Sequence, residues 1–429
     1  MTNGLKSVLQ LFCPIPIHSI MLNYLWALFF FIGFAVAVVK WLFFQDATVL
    51  PQLTKQLFDS AKTGFEISLG LTGVMTLWLG FMRIGEKGGA IQVLVRLTQP
   101  FFSRLFPEIP KDHPALGAIF MNFAANMLGL DNAATPLGLK AMKAMQDLNP
   151  EKDTASNPQL MFLVLNTAGF TLIPASIIAV RSQEKALFPA DVFLPILITT
   201  FVGFIFSVIL VAIYQKINLL DKILLSWLLG GMVAIGGLVY YLSHLKQDEL
   251  SAFSNTTSSL LILSIIVSFL GMSLYRQQNV YEIFIEGAKE GFETSVKIIP
   301  YLVAMLIGIG VFRAAGAMEA VINGVRWLCE QGGFNPDFVA GLPTALMKPF
   351  SGSGARGMMV DAIKTYGVDS FQARLACVLQ GSTETTFYVL AVYFGSVGIQ
   401  KTRYAVAAGL WADLIGIVAA ILVSYVFFH

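Results

Sequence analysis

Apolar residues run through this chain in blocks of about twenty, separated by short charged segments, which is the spacing that bilayer-crossing helices require. Blocks of this kind lie near 21–44, 66–82, 157–180, 188–214, 223–243, 257–275, 293–312, 372–396 and 402–428, and they predict nine crossings. Two further apolar regions, 114–149 and 338–366, are interrupted by Gly, Pro, Asn and Ser. Each reads as a re-entrant hairpin of two half-length helices that enters and returns on one side. Residues 86–106 and 317–330 mix apolar residues with Arg at helical spacing and predict amphipathic helices lying along the headgroups.

The pattern also repeats. AKTGFEIS at 61–68 answers AKEGFETS at 288–295 with six of eight positions identical, and Arg83 and Arg96 answer Arg313 and Arg326 at one offset. NAATPLGLKAMK at 132–143 then aligns with SGARGMMVDAIK at 353–364, and LNTAGFTLIP from Leu165 with LQGSTETTFY from Leu379. Four matches in the same order predict a duplication. Five crossings separate equivalent points, and an odd number turns the second copy upside down. The expected fold is therefore an all-α polytopic membrane protein with two inverted-topology repeats, re-entrant helical hairpins and broken helices. The expected divisions are an amino-terminal helix and linker (1–60), a first repeat (61–214), connecting helices (215–287) and a second repeat (288–429).

Composition agrees: of 429 residues, 56% are hydrophobic and 13% charged, with a mean hydropathy of +0.71. Such a chain could not cover a soluble surface. The charge of +2 is spread over short clusters between apolar runs, as in membrane loops, and does not point to nucleic acid. Cys13, Cys329 and Cys377 are scattered, as are the four histidines, so neither a disulfide framework nor a metal site is expected, and no cofactor is implied. The first apolar run reads as a retained helix, and the more basic face places the amino terminus in the cytoplasm of a bacterial inner membrane.

Polar clusters at membrane depth mark candidate sites, because buried polar groups there need partners. In 122–138, Asn122 and Asn126 share a helix face, and Asp131, Asn132 and Thr135 lie where a helix stops and restarts. Asn132 or Thr135 is the expected cap, with Pro136 in the first turn. An ordinary extramembrane turn is the alternative. In 348–357, Ser351 and Ser353 open a helix whose first turn carries Arg356, so a carboxylate or an anionic solute should compensate the cation. A structural Arg–Glu pair would do so equally. In 380–388, Gln380, Ser382, Thr383 and Glu384 interrupt an apolar span, and Asn166 and Thr167 occupy the matching place in the first copy.

These stretches resemble the spore maturation proteins A and B, usually separate chains, fused head to tail. NAATPLGLKAM and NTAGFTLIPASIIAVR look like the A type; SGSGARGMMVDA and QGSTETTFYVLAVYFGSVGI look like the B type. Each half is similar to the nucleoside-recognition, or gate, domain, also found in ferrous-iron transporter B and in concentrative nucleoside transporters. The resemblance implies a transport-like fold and leaves the solute open. The nucleoside transporters' GQTE-type signature survives only as QGSTE, and the iron transporter's soluble G domain is absent. The expected function is a secondary transporter or exporter of a small polar solute, amino-acid-like or nucleoside-like, with H+ or Na+ as coupling ion and a homo-oligomer possible. A non-transporting assembly factor of the envelope is the alternative. No nucleophile–base pair or zinc spacing suggests an enzyme.

Overall fold

The computed structural model describes residues 17–129, 131–333 and 335–429. Helices account for every regular element among them: α1 (Ile17–Phe43), α2 (Val49–Gly88), α3 (Ala90–Leu105), α4 (Pro114–Met127), α5 (Asp131–Leu148), α6 (Asn157–Ala168), α7 (Ala175–Gln183), α8 (Phe193–Gln215), α9 (Lys222–Ser243), α10 (Gln247–Tyr275), α11 (Val280–Ala314), α12 (Ala317–Gln331), a 3-10 turn (Pro336–Gly341) running into α13 (Leu342–Met347), α14 (Gly352–Tyr366), α15 (Phe371–Gly381), α16 (Thr386–Val397) and α17 (Ala405–Phe428). Among the described residues, seven (α1, α2, α8, α9, α10, α11, α17) are long and apolar enough to cross a bilayer. Phe31, Val233 and Leu260 on such helices are exposed, as lipid-facing side chains are. The protein is an all-α, multi-pass membrane protein.

The remaining two apolar blocks are not continuous helices. Residues 157–180 break at Gly169, whose φ of +59° closes α6, and α7 restarts after Pro174. Residues 372–396 break over 382–385, between α15 and α16. At 1.5 Å per residue, the 12 residues of α6 reach only about 18 Å, roughly half of a bilayer. The first long helix also begins earlier than its apolar block: α2 starts at Val49 and runs for 40 residues.

The order of elements repeats from α2–α8 to α11–α17. Both long helices end on a left-handed glycine, Gly89 (φ +94°) and Gly316 (φ +85°), which lets the chain turn directly into the amphipathic helix that follows. The two long helices pack antiparallel along their length. A methyl on Gly64 would lie 2.9 Å from Val303 Cα, and one on Gly291 would lie 2.7 Å from Thr76 Cα. Gly64 and Gly291 are the equivalent glycines of the repeated octapeptide, and Thr76 is the counterpart of Val303 at the same offset. The contact is thus self-complementary, as at an interface with two-fold symmetry.

The connections pair by the same exchange. Between α5 and α6, Asp153 O accepts from Gln400 N and Lys401 N (both 2.9 Å) on the α16–α17 connection, and Ala155 N donates to Lys401 O (3.0 Å). The hydrogen bond from Lys401 holds the Asp153 carboxyl below its ordinary value. In the other pairing, Arg181 at the end of α7 donates to Val368 O (2.8 Å) between α14 and α15. Fully buried, it also meets Asp191 (2.9 Å) and Asp369 (3.2 Å), and Arg374 completes the network on Asp191 (2.8 Å).

Candidate functional site

The hairpins α4–α5 and α13–α14 each place their tip against the broken helix of their own copy. Leu172 N, in the first break, donates to Met127 O at the first tip (2.7 Å). At the second tip Pro349 O accepts from Phe387 N, just past the second break (3.0 Å). The unwound backbone therefore finds some of its partners on hairpin tips.

Each tip is locally specified. Asn122 is buried and its amide donates to Ala134 O (2.7 Å), which ties α4 to α5. One turn on, Asn126 donates to Asn166 Oδ1 (2.8 Å), and Asn166 anchors itself on Phe162 O (2.8 Å). This amide chain holds the first tip on α6. At the second tip Ser351 is the helix cap, its hydroxyl accepting from Gly354 N (3.0 Å) and lying 3.1 Å from Ser353 Oγ. Gln380 Nε2 donates to Gly352 O (3.3 Å), the counterpart of the first copy's amide contact. In the first hairpin, α5 starts at Asp131, so Pro136 stands in the second turn rather than the first. The side chain of Asn132 lies outside the described residues.

The two breaks meet. Glu384 N donates to Thr167 O (2.8 Å), and a methyl on Gly169 would come within 3.0 Å of Glu384 N and Cγ. Only a glycine, free to adopt φ of +59° and offering no Cβ, lets the two breaks touch at this point. Glu384 is exposed and lines two separate cavities. A cavity of about 180 Å³ on one side is lined by Arg356, Gln380, Thr383, Lys348, Thr171 and Trp78 among others. A cavity of about 540 Å³ on the other is lined by Asn126, Asn166, Thr135, Ser351, Ser353 and four aromatic rings, Tyr301, Phe350, Tyr388 and Tyr393. Glu384 is common to both, as is the backbone at Gly352.

The structure thus divides the sequence-predicted residues. Asn126, Thr135, Asn166, Ser351 and Ser353 share one cavity, Arg356, Gln380 and Thr383 the other, and Glu384 both. Asn122, Thr167 and Ser382 line neither; the Ser382 hydroxyl donates to Leu379 O (2.8 Å) and finishes α15. Sequence reasoning missed the tyrosine wall, since tyrosines in apolar runs carry no distinguishing spacing. It also missed Lys348 and a buried carboxylate on α17, Asp413, for which a lone Asp inside an apolar block was the available signal.

The sequence profile of the Gate family, described as nucleoside recognition, matches residues 68–183 and 295–400, together more than half of the chain. Among curated proteins, spore maturation protein A of Bacillus subtilis (strain 168) is 40% identical over 190 residues, 44% of this chain and 93% of that protein. Spore maturation protein B of the same organism is 47% identical over 173 residues, 40% of this chain and 94% of that protein. No solved structure matches the chain. With both broken helices and both hairpins inside the matched segments, the chain belongs to the Gate family of nucleoside-recognition membrane proteins.

Proposed function

We propose that this protein is a secondary transporter or exporter of a small polar solute, built as an inverted repeat whose broken helices meet at Glu384. The observation that carries this reading is the position of Glu384: its backbone joins the two copies, and the residue lines two separate cavities at the junction. The antiparallel, self-exchanging contact of α2 and α11 supports the inversion. A shift of the Gly169–Glu384 contact would open one cavity to the other, which is the step alternating access requires.

The larger cavity falls within the size range of small-molecule sites, with aromatic walls for an apolar face and Asn126, Asn166 and Ser353 for directional hydrogen bonds. A nucleoside-like solute uses these groups with little need of charge. An amino-acid-like solute uses Arg356 for its carboxylate and Glu384 for its amine. H+ or Na+ would serve as coupling ion. The relatives' shared name, spore maturation, favours a second reading, an envelope-assembly factor that moves nothing and uses its polar residues to join helices.

Thermal unfolding of the purified protein against panels of nucleosides and amino acids separates the two. A ligand at 100 times its Kd stabilises by about 2.7 kcal/mol, and the transporter reading expects one class to raise the midpoint and Glu384→Gln or Asn126→Ala to weaken that response. A midpoint indifferent to every member of both panels contradicts this reading.

A further inference from the structure

One buried acid is left unused by the solute site. Asp413 is the ninth residue of α17 and only 2% exposed. Its Oδ2 accepts from the Thr386 hydroxyl at 2.5 Å, and the Thr383 hydroxyl lies within interaction reach of the same carboxyl. The matching depth of α8 in the first copy carries Thr199 and Thr200 instead, so the acid occurs once, in the copy that also holds Arg356 and Glu384.

Two glycines press α17 onto the second break. A methyl on Gly416 would lie 2.6 Å from Thr383 Cγ2, and one on Gly409 would lie 2.7 Å from Thr386 Cγ2. Thr383 and Thr386, one and two positions away from Glu384 in sequence, therefore lie against the Asp413 face of the helix. Thr167, at the end of the first copy's α6, reaches the same face near Gly409, and its buried hydroxyl has no hydrogen-bond partner among the described residues. Lys348, at the second hairpin tip, is 7% exposed and within electrostatic reach of Asp413. Lys348 and Thr383 both line the 180 Å³ cavity, whereas Asp413 does not. Thr383 is thus the thin wall between a buried carboxyl and a polar cavity.

Other charged groups on neighbouring elements are turned elsewhere. Glu384 lines the cavities, Arg374 on α15 is bound to Asp191, and the tyrosines of α16 line the larger cavity. An ionised carboxylate this deeply buried and held only by neutral hydroxyls is costly, and the least costly remedies are a proton or a nearby cation.

We propose that Asp413 is a proton-carrying carboxyl that loads and releases its proton as the break over 382–385 moves, with Lys348 as its alternative counter-charge. In the sealed arrangement the carboxyl is protonated. When Thr383 moves aside, the O–H bond breaks, the proton passes to water in the 180 Å³ cavity, and the Lys348 ammonium neutralises the carboxylate left behind. Loading is the reverse. This deepens the transport reading and rests on it for its effect on flux, but not for the titration itself.

The test is an infrared pH titration of the full-length protein in lipid, following the carbonyl band of protonated carboxyl groups in wild type, Asp413→Asn and Glu384→Gln. The proposal expects a buried-acid band that disappears as pH rises, is missing in Asp413→Asn and survives in Glu384→Gln. The same band in Asp413→Asn overturns it, as does a band in wild type that responds to NaCl against choline chloride but not to pH. If Asp413→Asn does not fold, Asp413→Glu replaces it, and an unshifted band is then the contrary result. Flux under an imposed pH gradient gives a separate readout: Asp413→Asn should lose its gradient dependence, and retained dependence overturns the proposal. Absence of flux in wild type would count against the transport reading while leaving the infrared result to decide Asp413.

Discussion

Gly287→Ala should be the most damaging one-carbon change in the long-helix pair. The added methyl would overlap the Leu79 carbonyl oxygen and sit 2.6 Å from Arg83 Cβ, so the first obstacle is backbone and cannot swing away as a side-chain tip could. Overpacking of this kind costs roughly 1–3 kcal/mol, against a helix-propensity gain of up to about 1 kcal/mol for replacing glycine by alanine. Gly73→Ala, on the same pair but with nothing within 4 Å of the added carbon, keeps the gain without the clash. Both variants share the propensity gain, so they should differ by the clash alone, roughly 1–3 kcal/mol. Because the contact exchanges with itself, Gly64→Ala and Gly291→Ala should resemble one another, both meeting backbone atoms of the opposite helix. Equilibrium unfolding in mixed micelles reads all four. A Gly287→Ala protein as stable as Gly73→Ala would refute the antiparallel packing on which the two-fold relation rests.

Three further outcomes follow from the same geometry. Arg181→Ala strips the fully buried cation from Asp191 and Asp369 and should cost about 3–5 kcal/mol; unfolding within 1 kcal/mol of wild type would show that the network contributes little. Asn126→Ala removes the 2.8 Å tie between the first tip and Asn166 and should cost about 1–3 kcal/mol while loosening the first hairpin, which unfolding and protease sensitivity together would check. Single cysteines at Asp153 and Lys185, in a background free of Cys13, Cys329 and Cys377, should react with an impermeant thiol reagent from opposite sides of sealed vesicles, since the broken helix α6–α7 separates these connections; reaction from one side alone would contradict the inverted arrangement.

Much of this architecture was legible in the chain because a bilayer imposes simple rules. The seven continuous spans announced themselves by apolar length, and the amphipathic α3 and α12 by Arg set among apolar residues at helical spacing. Breaks were harder. Residues 169–174 remain largely apolar, so hydropathy runs straight through them, and only Gly169 and Pro174 betray the interruption. The extension of α2 back to Val49 was hidden because Lys55, Asp59 and Lys62 dilute the apolar signal while leaving helix propensity intact. The polar clusters pointed to the hairpin tips and to Glu384, yet they could not separate two cavities, which exist only where the copies meet. Asn122 illustrates the difference: its type and depth suggested solute contact, whereas it lines neither cavity and its amide ties α4 to α5 through Ala134 O (2.7 Å).

The central claim is that Glu384 stands at the junction through which a solute passes. Proteoliposomes loaded with a cell extract, with released metabolites followed over time by mass spectrometry, test it most directly on wild type and Glu384→Gln. The account predicts selective release of a small polar solute by wild type and loss of that flux, or of its pH dependence, in a folded Glu384→Gln protein. Equal, equally pH-dependent release by both proteins, or none above protein-free vesicles in either, would contradict it.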